Sequence, residues 1–143
     1  MYCIDASVLI NSEIEREKFH EYSKRLMEII REQNVLVVVP EILGPEIASA
    51  IVRGTNNIDL AINFVDELQE LPNFVFIPID RELSNLASKF AAEYRLRGCD
   101  AIYVSTAFIF NVKLISLDKQ QIERASKCID VLTPGQELKN LNL

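Results

Sequence analysis

Arg97-Gly98-Cys99-Asp100-Ala101-Ile102-Tyr103-Val104-Ser105-Thr106-Ala107-Phe108 places one carboxylate at the head of an otherwise neutral or apolar run, and the next charged side chain after Asp100 is Lys113. A surface helix carries a polar stripe; this run lacks one and predicts a helix buried on most sides. A carboxylate there must be neutralised, hydrogen-bonded or bound to a cation.

The flanking sequence says what such a helix packs on. Downstream, Val112-Lys113-Leu114-Ile115-Ser116 reads as a strand that exits into Leu117-Asp118. A short helix over Gln121–Lys127, a strand over Ile129–Leu132 ended by Thr133-Pro134-Gly135, and a tail or final helix from Gln136 to Leu143 follow. Upstream, Leu83, Leu86, Ala87, Phe90, Ala91 and Tyr94 share one helical face, with Gly98 read as that helix's end. Before it come a strand, Phe74–Ile77, closed by Pro78 and Asp80, and a helix from Ile58 to Leu71. Another helix covers Glu46–Arg53, with Pro45 in its first turn and Gly54 near its end. The apolar, largely β-branched run Val35–Val39, stopped by Pro40, reads as a central parallel strand covered on both faces. From Glu13 to Gln33 the spacing of Phe19, Tyr22, Leu26, Ile29 and Ile30 predicts a surface helix. The chain begins with a short strand, Tyr2-Cys3-Ile4, that ends at Asp5 and turns into a helical segment over Ala6–Ile10. Strands alternating with helices predict an α/β fold, a parallel sheet with helices on both faces.

The 143 residues fit one domain, 1–143, long enough to bury roughly two thirds of the unfolded chain's surface. Hydrophobic residues at 49% and charged ones at 25% argue for a globular rather than a disordered chain. An N-terminus that meets Asp5 at once, with no long apolar stretch, reads as neither signal peptide nor membrane span, so a cytoplasmic location is expected. Cys3, Cys99 and Cys128 form no Cys-x-x-Cys pair, which suggests neither a disulfide framework nor a zinc site. They are expected to be reduced and mostly buried. The net charge of −6 repels phosphates at long range, so a polyanionic substrate requires bound cations or a few placed Arg and Lys residues.

Ligands of open parallel sheets bind outside the carboxyl ends of the strands, where strand order reverses. Asp5 follows the first strand and Asp118 the fourth; Glu46 and Asp100 lie early in helices that start from the same edge. Carboxylates brought together repel one another unless a cation sits among them, and hard oxygen donors without His or thiolate select Mg²⁺ or Mn²⁺. Each acid also has a purely structural explanation. Asp5, Asp100 and Asp118 are good helix N-caps, the last as part of a capping box with Gln121, and Glu46 suits a first helical turn. Ser7 and Ser116, two residues from Asp5 and Asp118, are candidates to hold the acids or a water; Asn11 is a weaker one. Glu41, Asp59, Asp66, Asp80 and Asp130 read as solvated or capping acids. His20, the one histidine, reads as a surface residue, which argues against a His-based triad. Only four glycines are present, with no Gly-rich phosphate loop.

In order along the chain, Ile4-Asp5-Ala6-Ser7-Val8-Leu9-Ile10, Val39-Pro40 leading to Glu46-Ile47-Ala48-Ser49-Ala50, Cys99–Ala107 and Leu114-Ile115-Ser116-Leu117-Asp118 resemble the PIN-domain nuclease family. The likeness is strongest to its small VapC-type toxins. The resemblance implies a three-layer α/β/α fold with a five-stranded parallel sheet of order 3-2-1-4-5. It implies Mg²⁺- or Mn²⁺-dependent cleavage of RNA, often by a homodimer, and an antitoxin protein as a possible partner. Asp5, Glu46, Asp100 and Asp118 match the family's acidic positions; Ser7 and Ser116 match its hydroxyl positions, the latter often Thr in the family. Glu46 is assigned to orient a metal or the attacking water. Arg53, Arg95, Arg97 and Lys119 are candidates to contact the substrate backbone. A non-catalytic PIN-like module that binds RNA or a protein is the competing reading. A phosphoacceptor receiver domain fits poorly, because Asp5 stands alone and Ile129–Pro134 contains no Lys.

Overall fold

Asp5 donates its backbone N–H to Ile115 O at 3.0 Å, which joins the exits of strands β1 (Tyr2–Ile4) and β4 (Lys113–Ile115). The computed structural model describes all residues 1–143. With β2 (Val37–Pro40), β3 (Phe74–Ile77) and β5 (Val131–Leu132), these strands form one parallel sheet of order β3-β2-β1-β4-β5. Tyr2, Cys3 and Ile4 pair with Lys113, Leu114 and Ile115, and β2 pairs with β3 in register from Val37–Phe74 to Pro40–Ile77. Strand order reverses between β1 and β4. The parallel sense is that expected from the alternation of strands and helices, and the order is the one the family resemblance implies.

The helices are α1 (Ala6–Glu13), α2 (His20–Glu32), α3 (Leu43–Thr55), α4 (Ile58–Glu70), α5 (Arg81–Tyr94), α6 (Gly98–Phe110), α7 (Lys119–Ala125) and α8 (Pro134–Asn140). Right-handed crossovers place α1–α4 on one face of the sheet and α5–α7 on the other. The core gathers Ile4, Val8, Leu26, Ile30, Val37, Ile47, Leu114 and Ile115, all at most 1% exposed, between these layers. Helix α6 is buried along Asp100–Ala107 except at half-buried Ile102, and emerges at its start, Gly98 and Cys99, and at its end, Phe108–Phe110. None of the helices is long and apolar enough to cross a membrane.

Several boundaries differ from expectation. Helix α1 runs on to Glu13, and α2 starts only at His20; residues 14–19 turn between them, with Phe19 at φ 70. The charged run Glu15–Lys18 offers no apolar repeat to hold a helix, and Asn11 Nδ2 pins it instead through Lys18 O at 2.9 Å and Glu17 Oε2 at 3.1 Å. That turn buries His20, whose Nδ1 lies 2.8 Å from Asn11 O, so His20 is a core residue and not a surface one. Asn11 is likewise used in this turn and not at the acids. Gly98 does not end α5; Arg95, at φ 55, is its cap, and Gly98 opens α6. Of the cysteines only Cys3 is buried; Cys128 is half-buried and Cys99 exposed, because the first turn of α6 faces the open edge.

Candidate active site

The carboxyl edge of the sheet receives one acid from each of β1, α3, α6 and the β4 exit. Asp5 is at the N-cap position of α1 but its side chain makes no capping bond. Its Oδ2 instead accepts hydrogen bonds from Ser7 Oγ at 3.0 Å and Ser116 Oγ at 2.9 Å. Both hydroxyls are tied to the β4 exit, since Ser7 Oγ accepts from Leu117 N at 3.2 Å and Ser116 Oγ from Asp118 N at 3.0 Å. Asp5 Oδ1 has no hydrogen-bond partner and is not sealed from solvent.

Asp100 is the third residue of α6, whose N-cap position is Arg97, so capping does not explain it. Its Oδ2 accepts from Arg97 Nε at 2.9 Å, and Arg97 Nη2 reaches Asp118 Oδ2. Arg97 thus stands as a cation between two of the acids. Its side chain is 62% exposed and free to leave. Asp118 does cap α7: Oδ1 accepts from Gln120 N at 3.0 Å and Gln121 N at 3.1 Å, while Oδ2 stays on the crevice side with Arg97. The expected capping box is only half made, because the Gln121 side chain turns to Ser116 and not back to Asp118 N.

Glu46 lies in the first turn of α3, yet it is not a solvated first-turn acid. Its Oε1 is buried without a hydrogen-bond partner, beside Tyr103 Oη, which is buried and unpartnered as well. Electrostatics bind the group together. Burial pushes the Asp5 carboxyl above the usual aspartate range; the serine hydroxyls oppose this and the charges of Asp100 and Asp118 add to it. Burial likewise raises Glu46, with the Tyr103 hydroxyl opposing and Asp5 and Asp100 reinforcing the shift. Asp100 is raised by burial despite the Arg97 guanidinium beside it. The exposed thiol of Cys99 is held protonated by partial burial and by the charges of Glu46 and Asp100.

No three of these side chains converge as they stand into a ready three-ligand cluster. The donor set nevertheless fits a hard divalent cation. It is all carboxylate oxygen, with Asp5 Oδ1 making no hydrogen bond, Glu46 attended only by the Tyr103 hydroxyl, and an exposed arginine neutralising the other two acids. Lys119 opens α7 immediately after Asp118, and exposed Arg95 caps α5 two residues before Arg97. Arg53 is not brought to the group; it lies in the last turn of α3, about 10 Å along the helix from Glu46. Glu41, Asp59, Asp66 and Asp130 are exposed, and Asp80 caps α5 through Leu83 N at 2.8 Å. Sequence reasoning missed Gln121 and Tyr103. A buried polar residue in a short helix or an apolar run was the available signal, and its partners lie far away in sequence.

No curated protein matches the chain in sequence. Among solved structures it is similar to VapC20 of Mycobacterium tuberculosis, described as a Sarcin-Ricin loop cleaving toxin, at 12% identity and TM-score 0.72 over 86% of this chain and 94% of that one. A toxin-antitoxin complex from Klebsiella pneumoniae superposes at 19% identity and TM-score 0.68, covering 94% and 98% of the two chains. VapBC2 of Rickettsia felis bound to a DNA fragment from their promoter gives 12% identity and TM-score 0.68 over 92% and 97%. Identities this low speak for the fold alone. A family model for the PIN domain, however, matches residues 2–127, which takes in all five strands except β5 and every acid of the carboxyl edge, and the chain belongs to the PIN domain family.

Proposed function

We propose that this chain is a nuclease, a Mg²⁺- or Mn²⁺-dependent endoribonuclease that hydrolyses RNA phosphodiesters, and that it serves as the toxin of a toxin–antitoxin pair. The observation that carries the reading is Asp5: two serine hydroxyls saturate one of its oxygens and leave the other open beside Glu46, Asp100 and Asp118. Asp5, Glu46, Asp100 and Asp118 are the residues that would hold the ion or ions. When bound, a divalent cation lowers the pKa of its water and stabilises charge on the scissile phosphate. Ser7 and Ser116 orient Asp5, Glu46 orients a metal or the attacking water, and Arg97, once off its two acids, reaches a substrate phosphate together with Lys119. These local cations offset the repulsion expected from a net charge of −6.

The toxin assignment draws on the similar solved complexes, which include a toxin-antitoxin pair. It also draws on an apolar groove lined by Ile10, Ile14, Ile47, Ile51, Leu60 and Phe64 and on exposed Ile58 and Ile62 of α4. These surfaces suit a partner protein, an antitoxin or a second copy of the chain.

The test is an assay on end-labelled single-stranded RNA with Mn²⁺, with EDTA, and with Asp100→Asn. Cleavage is expected for the unaltered chain with Mn²⁺, none with EDTA, and a loss for Asp100→Asn beyond the about 10- to 100-fold that outer-shell changes cost. Cleavage that survives both chelation and substitution overturns the assignment. One observation favours a second reading: Arg97 closes Asp100 and Asp118 as a non-catalytic PIN-like module would. Absence of Mn²⁺ binding in a calorimeter would select that reading.

A further inference from the structure

Gln121 lies in the first turn of α7 and is completely buried, with Oε1 placed 2.6 Å from Ser116 Oγ. The same hydroxyl is 2.9 Å from Asp5 Oδ2 and 3.0 Å from Asp118 N. A serine hydroxyl has one proton to donate and two lone pairs to offer. An ionised Asp5 can only accept, and the Asp118 N–H can only donate. The proton therefore belongs to Asp5, one lone pair to Asp118, and the third neighbour must be a donor. A carboxamide oxygen in that place sets acceptor against acceptor; the far end of the side chain is buried without a partner in either orientation, so the Ser116 contact is what decides between them. The two ends of a carboxamide are distinguished by their hydrogen bonds, and these bonds require the nitrogen to face Ser116.

We propose that Gln121 is a positioning residue: its Nε2 donates to Ser116 Oγ, which fixes the Ser116 proton on Asp5 Oδ2 and leaves Asp5 Oδ1 for a divalent cation. The proposal rests on the metal-dependent reading above. Ser7 completes the symmetry from the other side, donating to Asp5 at 3.0 Å and accepting from Leu117 N at 3.2 Å. The serine hydroxyls thus each have a fixed donor direction, one set by the β4 exit alone and the other by the β4 exit and α7 together. The Asp118 cap starts the same helical turn that carries Gln121, so α7 places an acid and the support of another acid in one rigid piece.

Calorimetric titration with Mn²⁺ of the unaltered chain, Gln121→Leu, Ser116→Ala, the double variant and Asp100→Asn tests this, with thermal melts alongside. Leucine fills a similar volume with no polar atom, so Tm is expected to stay level or rise. Mn²⁺ affinity is expected to fall about tenfold in Gln121→Leu. The double variant should lose no more than Ser116→Ala alone, because Gln121 acts through that hydroxyl. A merely structural glutamine would lower Tm when replaced and leave this non-additivity absent. Should leucine unfold the chain, Gln121→Met, unbranched like glutamine, makes the same comparison. Affinity within twofold of the unaltered chain, or losses that multiply in the double variant, overturns the role of Gln121. If the unaltered chain binds Mn²⁺ and Asp100→Asn does not, that failure belongs to Gln121 only; an unaltered chain that binds no Mn²⁺ overturns the metal reading and this proposal together.

Discussion

Arg97 occupies, between Asp100 and Asp118, the place that a metal-dependent mechanism needs for a cation. A guanidinium paired to two carboxylates that would hold a divalent ion competes with that ion, by on the order of 1 kcal/mol in a solvent-exposed crevice. Arg97→Gln is therefore expected to bind Mn²⁺ several-fold more tightly in a calorimeter, while RNA cleavage falls for want of a phosphate contact. Weaker Mn²⁺ binding in Arg97→Gln would show that the arginine supports the ion and does not compete with it. At this scale the acids were legible because each stands at a strand exit or heads a helix, where charge is conspicuous against the apolar run. What they touch was not. Capping explains Asp118 but neither Asp5, which holds the same N-cap position with its side chain turned elsewhere, nor Asp100, whose helix starts two residues earlier than the sequence suggests. Gln121, read only as a capping-box partner, and Tyr103, read only as part of an apolar run, were given no place at the site, because periodicity reports which face a residue is on and their partners are set by the fold. His20 was misread because its partner, Asn11 O, is supplied by a turn that interrupts the helix drawn through it.

Helix α8 is fastened to the strands at the opposite edge from the acids by one buried carboxylate. Glu137, 1% exposed, accepts from Tyr2 Oη at 2.7 Å, Lys113 Nζ at 3.1 Å and Asn140 Nδ2 at 3.2 Å. Burial pushes its pKa up, but these hydrogen bonds outweigh that, and Glu137 titrates below the usual glutamate range. Glu137→Ala strands a buried tyrosine hydroxyl, although Lys113 can turn to solvent. A loss of about 3 kcal/mol is expected, which for a chain of this size lowers Tm by about 10 °C in a calorimetric scan. A change of less than about 2 °C would mean that Tyr2 and Lys113 find other partners. This cluster gave no signal in sequence, since Glu137 sits in a short C-terminal stretch of mixed polarity that reads as a tail or a final helix. Elements with a sustained repeat, α4 and α5, were found with ends within a few residues, and the unbroken apolar run of α6 placed its start within two residues. The errors fell where a left-handed cap is taken by an unexpected residue, as at Arg95, and where a charged run is held by side-chain bonds, as at residues 14–19.

At the scale of the whole molecule, alternation of strand and helix was enough for a parallel sheet, while the order 3-2-1-4-5 came from the family resemblance, because no local pattern says which strand lies beside β1. That order has an energetic consequence, since pairing β1 with β4 forces Asp5, Asp100 and Asp118 into one electrostatic group. The folded chain holds protons on Asp5, Glu46 and Asp100 at pH values where the unfolded chain has released them. Stability therefore falls as pH rises through that window, and the penalty is complete above the raised pKa values. Glu137 works in the other sense: its contribution is present above the ordinary glutamate pKa and is lost as pH falls through its depressed value. The metal-free chain is thus expected to be more stable at mildly acidic pH than at neutral pH, its Tm falling as the pH rises. The net charge of −6 acts in the same direction near neutrality. Mn²⁺ supplied at about a hundred times its dissociation constant should restore about 2.7 kcal/mol at neutral pH, a rise of roughly 5–10 °C, and less as the pH falls and protons compete for the same carboxylates. Thermal melts across pH with and without Mn²⁺ make the comparison directly. A metal-free chain more stable at about pH 7.5 than at about pH 5, with no response to Mn²⁺ at either, would mean that Arg97 already neutralises the acids and that their convergence serves no ion.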